Sequence, residues 1–240
     1  MLNFLLTLCK IKKREKILTP SKDLSEEKRE TPIPEKKNLK HIWCNGEQVV
    51  IDWSKVITHR EDAKWRLPEK CMRMRKDARD DDIDKFVVHW DGCLSAKMCH
   101  QVLENRGLSV HFCIDNDGTI IQLHDINEAC WHAGNSKVNH SSVGVEISNA
   151  YYLKYQSWYK KNVGKERPLM EGALAQNKPL KPFTWFYPEQ LEALKALYKA
   201  IHEGCGVPLE APTEKWAYDK IAASGKFKGF MNHFHCTVSN

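Results

Sequence analysis

The run Ser142-Val-Gly-Val-Glu-Ile-Ser148 constrains this chain more than any other segment. Side chains alternate across a strand, so Val143, Val145 and Ile147 face one side and Gly144, Glu146 and Ser148 the other. Glu146 is thereby set apart from the apolar face. Phe86-Val-Val-His89-Trp90 reads as a second buried strand, ending on an imidazole. Between these two, Val110-His-Phe-Cys-Ile-Asp115 and Thr119-Ile-Ile-Gln-Leu123 flank Asn116-Asp117-Gly118. Asp-Gly tolerates the positive φ angles of a tight turn, which predicts a β-hairpin.

Helices are predicted between the strands. Ser95 is placed to cap a helix carrying Met98, Val102 and Leu103 and stopped by Gly107. Pro188 opens another, in which Leu191, Leu194, Tyr198 and Ile201 recur at helical spacing before Gly204-Cys205-Gly206 closes it. The expected fold class is α/β, with a mixed central β-sheet flanked by helices and a groove at one face.

Length and charge set the organisation. With 240 residues and 42% hydrophobic content, the chain fills one core well, and a second full domain would leave both small. The net charge of +6 is mostly local: residues 1–40 hold 11 Lys/Arg against 6 Asp/Glu, leaving the rest nearly neutral. That segment is rich in Lys and Glu, contains Pro20, Pro32 and Pro34, and is expected to be a flexible basic tail. Residues 41–85 are an accessory lead-in with a strand-like run, Gln48-Val-Val-Ile-Asp52, and the acidic cluster Asp80-Asp81-Asp82. Residues 86–240 form the main domain. The apolar start Met1–Cys9 is too short to span a bilayer and has its positive charge after the apolar run, so neither a transmembrane anchor nor a signal peptide is expected. Nothing forms a basic stripe in residues 41–240, which argues against a specific nucleic-acid partner. Nine cysteines, an odd set without a CxxC pair, read as reduced thiols of a protein made in a cytoplasm.

Among eleven histidines most are expected to be structural, and context selects the rest. His89 ends a strand, a rigid place for an open metal site. His233 and His235 form an i, i+2 pair far along the chain, and on an extended segment both would face one side. Two distant histidines joined by a sheet, with a carboxylate nearby, is a common assembly for catalytic zinc.

Taken in order, these segments resemble the zinc-dependent N-acetylmuramoyl-L-alanine amidases, which share a fold with phage amidase endolysins and animal peptidoglycan recognition proteins. The resemblance runs from about Phe86 to the last residue, through Phe86–His89, Val110–Gly118, Trp131-His-Ala-Gly134, Ser142–Ile147 and His233-Phe-His235. It implies a Zn²⁺ ion held by His89 and His233, with Glu146 as the acid/base group. Endolysins of this fold can place a tyrosine where this chain has Val110, which favours the glutamate branch. Trp131 and His132 are implied to touch substrate. The insertion at 150–186, with Tyr151, Tyr152, Tyr155, Trp158, Tyr159 and Lys154, Lys160, Lys161, offers aromatic faces for sugars and cations for stem carboxylates, or ordinary core. Cys236 reads as a buried thiol. The family's third zinc ligand, an Asp or Cys, lies further past the second histidine than Asn240 reaches, so the C-terminal end reads as incomplete.

The implied activity is zinc-dependent hydrolysis of the amide bond between N-acetylmuramic acid and L-alanine in peptidoglycan, of endolysin or recycling type. The alternative is a non-catalytic peptidoglycan-binding module that has lost the third ligand. The implied partner is peptidoglycan or a muropeptide. The protein is expected to be a monomer acting at the bacterial cell wall, with a phage-encoded origin left open.

Overall fold

The structure is a computed structural model that describes residues 39–74, 83–215 and 217–237. The expected tail, apart from its last two residues, and the Asp80-Asp81-Asp82 cluster lie outside the described residues. The chain begins with the hairpin β1 (Lys40–Cys44) and β2 (Glu47–Ile51), followed by β3 (Val56–Thr58), β4 (Met72–Met74) and β5 (Lys85–Trp90). Next come α1 (Ala96–Arg106), β6 (Phe112–Ile114), β7 (Ile120–Gln122), β8 (Glu128–Cys130), α2 (Ser136–His140) and β9 (Ser142–Ile147). The insertion contains α3 (Gln156–Val163) and four two-residue strands, β10 (Leu169–Met170), β11 (Leu174–Ala175), β12 (Lys178–Pro179) and β13 (Phe183–Thr184). Then follow α4 (Pro188–Cys205), α5 (Lys220–Ala223), β14 (Gly229–Asn232) and α6 (His233–Cys236). Among the described residues no helix is long and apolar enough to cross a membrane.

The central sheet is mixed, with six strands in the order β14-β5-β9-β6-β7-β3. Four neighbouring strands, β14, β5, β9 and β6, run parallel, while β7 is antiparallel to β6 and β3 pairs parallel to β7. Both faces are covered, as parallel strands require. On one, Phe86, Val88, Val143, Val145, Ile147, Phe112 and Phe230 pack with Leu194, Leu197, Tyr198 and Ile201 of α4 and with Ile42, Cys44 and Ile51 of the hairpin. The other face meets α1 through Cys99 and Leu103 against Cys113 and Ile121, and meets α2 and α5 through Val138 and Ala222 against Val87 and Met231.

The local signals explain most boundaries. The Ser95 hydroxyl accepts from Met98 N at 3.4 Å, and Gly107 ends α1 in the left-handed region. Pro188 stands in the first turn of α4, and Gly206 caps it at φ 73°. The β6–β7 hairpin closes through Asp115–Gly118, with Gly118 N donating to Asp115 O at 3.0 Å and only Gly118 adopting positive φ.

On α1, Met98 and Val102 are exposed, and the helix packs through Ala96, Cys99 and Leu103. Two expectations need correction. His233 and His235 do not share a face, because β14 stops at Asn232 and the next four residues turn into α6. Part of the lead-in is integral to the sheet: β3 supplies its edge strand.

Candidate active site

A parallel sheet collects the ends of its strands along one edge, and ligands of such sheets bind beyond the carboxyl ends. Here that edge gathers three side chains from distant parts of the sequence. His89 lies near the end of β5, Glu146 is its register partner near the end of β9, and His233 directly follows β14, whose Asn232 pairs with Val88. Alternation puts His89 on the same face as Val87, and Glu146 on the same face as Gly144.

The imidazoles stack edge to face around His89. Its ring centroid is 4.7 Å from that of His233 and 5.0 Å from that of His132. His89 Nε2 and His132 Nδ1 share a hydrogen bond of 2.9 Å, and His132 Nε2 shares another of 3.2 Å with Ser142 Oγ. His132 also lies flat over Gly144, where an added Cβ would come within 2.8 Å of the ring. Behind it, Gly144 N donates to His111 Nδ1 at 3.0 Å, which leaves His111 Nε2 to donate to Glu128 O at 2.8 Å. Burial, reinforced by the neighbouring His132 and His233, holds His89 well below the ordinary histidine range. Burial alone lowers His233. Both are therefore neutral at pH 7, the form in which imidazole binds a metal.

Glu146 faces this cluster from the next strand, its Oε1 3.9 Å from His89 Nδ1. Oε2 is buried without a protein hydrogen bond. Burial raises the Glu146 carboxyl well above its ordinary range, and the nearby Asp91 raises it further. Asp91 itself is pushed up to about 7 by burial, against the N–H groups of Asn149 and Cys93 that hydrogen-bond its Oδ1. A buried carboxyl whose affinity for a proton is raised, set beside neutral imidazoles, is placed to hold and pass a proton.

These groups line a cavity of about 600 Å³ whose walls include Trp131, His132, Arg106 and, from the insertion, Leu180, Phe183 and Trp185. The insertion is anchored by Arg167, a buried cation between the rings of Tyr159 and Tyr187. It donates to Ser148 O at 2.6 Å, Trp185 O at 3.1 Å and Gln190 Oε1 at 3.0 Å. Tyr159 is core, whereas Tyr151 and Tyr152 remain exposed. Among the described residues, the group of three potential ligands close enough to share a metal is Asp91, Cys93 and Cys99, all within 4.8 Å, on the wall of the same cavity.

All five residues selected from the sequence, His89, Trp131, His132, Glu146 and His233, border this cavity. His235 does not: its Nδ1 accepts from Asn232 N at 3.0 Å and its ring is buried. Sequence reading missed Asp91 and the thiols Cys93 and Cys99. Their signal was present in the stretch Asp91-Gly-Cys93 directly after the His89 strand.

The family model described as N-acetylmuramoyl-L-alanine amidase matches residues 79–222, more than half of the chain. No curated protein matches. Among solved structures, the N-acetylmuramyl-L-alanine amidase AmiD from E. coli is similar at 21% identity over 57% of this chain and 49% of that one, with a TM-score of 0.39. The chain thus spans about half the length of AmiD. The endolysin LysCS from Clostridium intestinale is 14% identical over 77% of this chain and 84% of that chain, with a TM-score of 0.43. Drosophila peptidoglycan recognition protein SA is 14% identical over 78% and 84%, with a TM-score of 0.42. On the match over residues 79–222, the chain belongs to the N-acetylmuramoyl-L-alanine amidase family.

Proposed function

We propose that this protein hydrolyses the amide bond between N-acetylmuramic acid and L-alanine in peptidoglycan, with His89 and His233 holding a zinc ion and Glu146 transferring the proton. The observation that supports it most is the convergence on one cavity of His89 and Glu146 from two adjacent parallel strands and His233 from the helix start that follows β14. The donor set fits zinc: two neutral imidazoles lie side by side, next to a buried carboxyl whose Oε2 lacks a protein partner. Zinc in such a setting is a Lewis acid towards the amide carbonyl and towards water.

The chain's own residues supply the rest. Glu146 takes the proton of the attacking water and returns it to the nitrogen of the leaving L-alanine. His132, tied to Ser142, fixes the orientation of His89. Trp131 and His132 border the space for the muramic acid and stem, and Arg106 presents a cation to stem carboxylates. In this reading the amidase unit runs from residue 86, with β3 of the lead-in as the sheet edge and residues 1–40 as a tail. The protein is made in a cytoplasm and acts as a monomer at the bacterial cell wall.

A second reading is a peptidoglycan-binding module without catalysis. One observation favours it: among the described residues, no third Asp, Glu, Cys or His joins His89 and His233 within metal-sharing distance. Zinc content after purification and release of stem peptide from sacculi separate the two. Bound zinc with cleavage supports the amidase, and muropeptide binding without either supports the module.

A further inference from the structure

Cys44 ends β1 and Cys205 ends α4, 161 residues apart, yet their Sγ atoms lie 2.8 Å from each other. Both are buried thiols in the core formed by the hairpin and α4, and neither lines the active-site cavity. Several contacts hold them there. Trp43, next to Cys44, donates its N–H to Gln122 Oε1 at 2.8 Å and accepts from Gln122 Nε2 at 2.7 Å, which ties β1 to the sheet. Gly46 N donates to Asp125 Oδ2 at 3.0 Å, fixing the hairpin turn. On the helix side, Gly204 lets β2 approach closely, since a Cβ there would come within 2.7 Å of Val49 Cγ1. By contrast, the Sγ atoms of Cys99 and Cys113 are 4.0 Å apart.

We propose that Cys44 and Cys205 are a redox modification site, closing an intrachain disulfide by exchange with a low-molecular-weight disulfide of the glutathione class. One protein thiolate attacks a sulfur of the small disulfide, forms a mixed disulfide and expels a small thiolate. The second protein thiolate then attacks the protein sulfur of that mixed disulfide, forms the Cys44–Cys205 bond and expels the other small thiolate. The protein loses two electrons and two protons, and the small disulfide leaves as two thiols. Access to the buried pair comes from local opening of the hairpin, which is a two-stranded sheet of its own. The bond fastens hairpin to helix on the side of the sheet away from the cavity, so it acts on stability and not on turnover.

The test incubates the full chain with oxidised or reduced glutathione, alkylates the remaining thiols and maps them by mass spectrometry. The expected result is a Cys44–Cys205 cross-linked peptide under oxidised conditions, a mass lower by two hydrogens, and an unfolding midpoint higher by roughly 6–12 °C. Reductant reverses the shift, Cys44→Ser and Cys205→Ser each abolish it, and Cys236→Ser retains it. Full alkylation of Cys44 and Cys205 after oxidation overturns the proposal. So does a cross-link mapping to Cys93, Cys99 or Cys113, or a midpoint shift that persists in Cys44→Ser.

Discussion

His89 and Glu146 are register partners across the parallel β5–β9 pair, with Nδ1 of one 3.9 Å from Oε1 of the other. Replacing Glu146 by Gln keeps the size of the side chain but removes its capacity to take a proton. Release of stem peptide from sacculi is expected to fall by about 10²–10⁴-fold. Zinc content should be unchanged, and the unfolding midpoint should not drop, because a buried ionisable group has been exchanged for a neutral one. Undiminished peptide release would remove Glu146 from the chemistry.

Gly144 is required by its neighbour. Its place beneath the His132 ring leaves no room for a Cβ, and the ring is held on both sides, by His89 and by Ser142. Gly144→Ala is expected to cost about 1–3 kcal/mol of stability through overpacking. It should also weaken zinc binding, because His89 loses its orienting partner. Denaturant unfolding and a metal titration measure the two effects, and a loss of stability with unchanged affinity would show that His132 does not orient His89.

Arg167 joins the insertion to the end of β9 and the start of α4. Arg167→Met would take its donor from the Trp185 carbonyl and from Asn116 Oδ1, and one of two donors from Ser148 O and Gln190 Oε1, which keep Gln190 Nε2 and Tyr187 N, at a cost of about 3 kcal/mol. Arg167→Lys keeps the charge without the planar fork and should fall between. Urea midpoints for the three proteins check the order.

His59 gives stability a pH dependence. Burial, with help from the Arg66 charge, lowers it from 6.5 to about 4. Between those values the unfolded chain binds a proton that the folded one refuses, so this contribution is intact above pH 6.5 and is lost as pH falls towards 4. His59→Gln should make the stability profile less steep in that window, where His235, lowered likewise to about 4 by burial, still contributes, and leave it unchanged above it. Denaturation midpoints at stepped pH provide the comparison, and equal slopes for both proteins would show that another group sets the dependence.

The strand ends and helix caps were legible because they are local. Alternation alone put Glu146 on the face opposite Val145, and Ser95, Gly107, Pro188 and Gly206 marked helix ends through their own backbone preferences. What joins distant segments was not legible. Arg167 sits in a stretch rich in Lys and Glu and looks like a solvated cation until Tyr159 and Tyr187 close over it. The pairing of β3 with β7 is a parallel contact between short runs, and nothing in three residues announces a partner. His132 reads as a loop residue because its value comes from Gly144, whose missing side chain makes the space for its ring.

The parallel pairing of β5 and β9 also makes the site a gauge of folding. If β9 settled one residue out of place, Glu146 would turn into the α4 layer and a valine or isoleucine would stand beside His89. Such a molecule would keep its helices and most of its buried area, so circular dichroism would count it as native. Peptide release would not. If the protein is the proposed zinc amidase, specific activity divided by bound zinc would be a census of correctly aligned chains in a preparation where some molecules have settled wrongly.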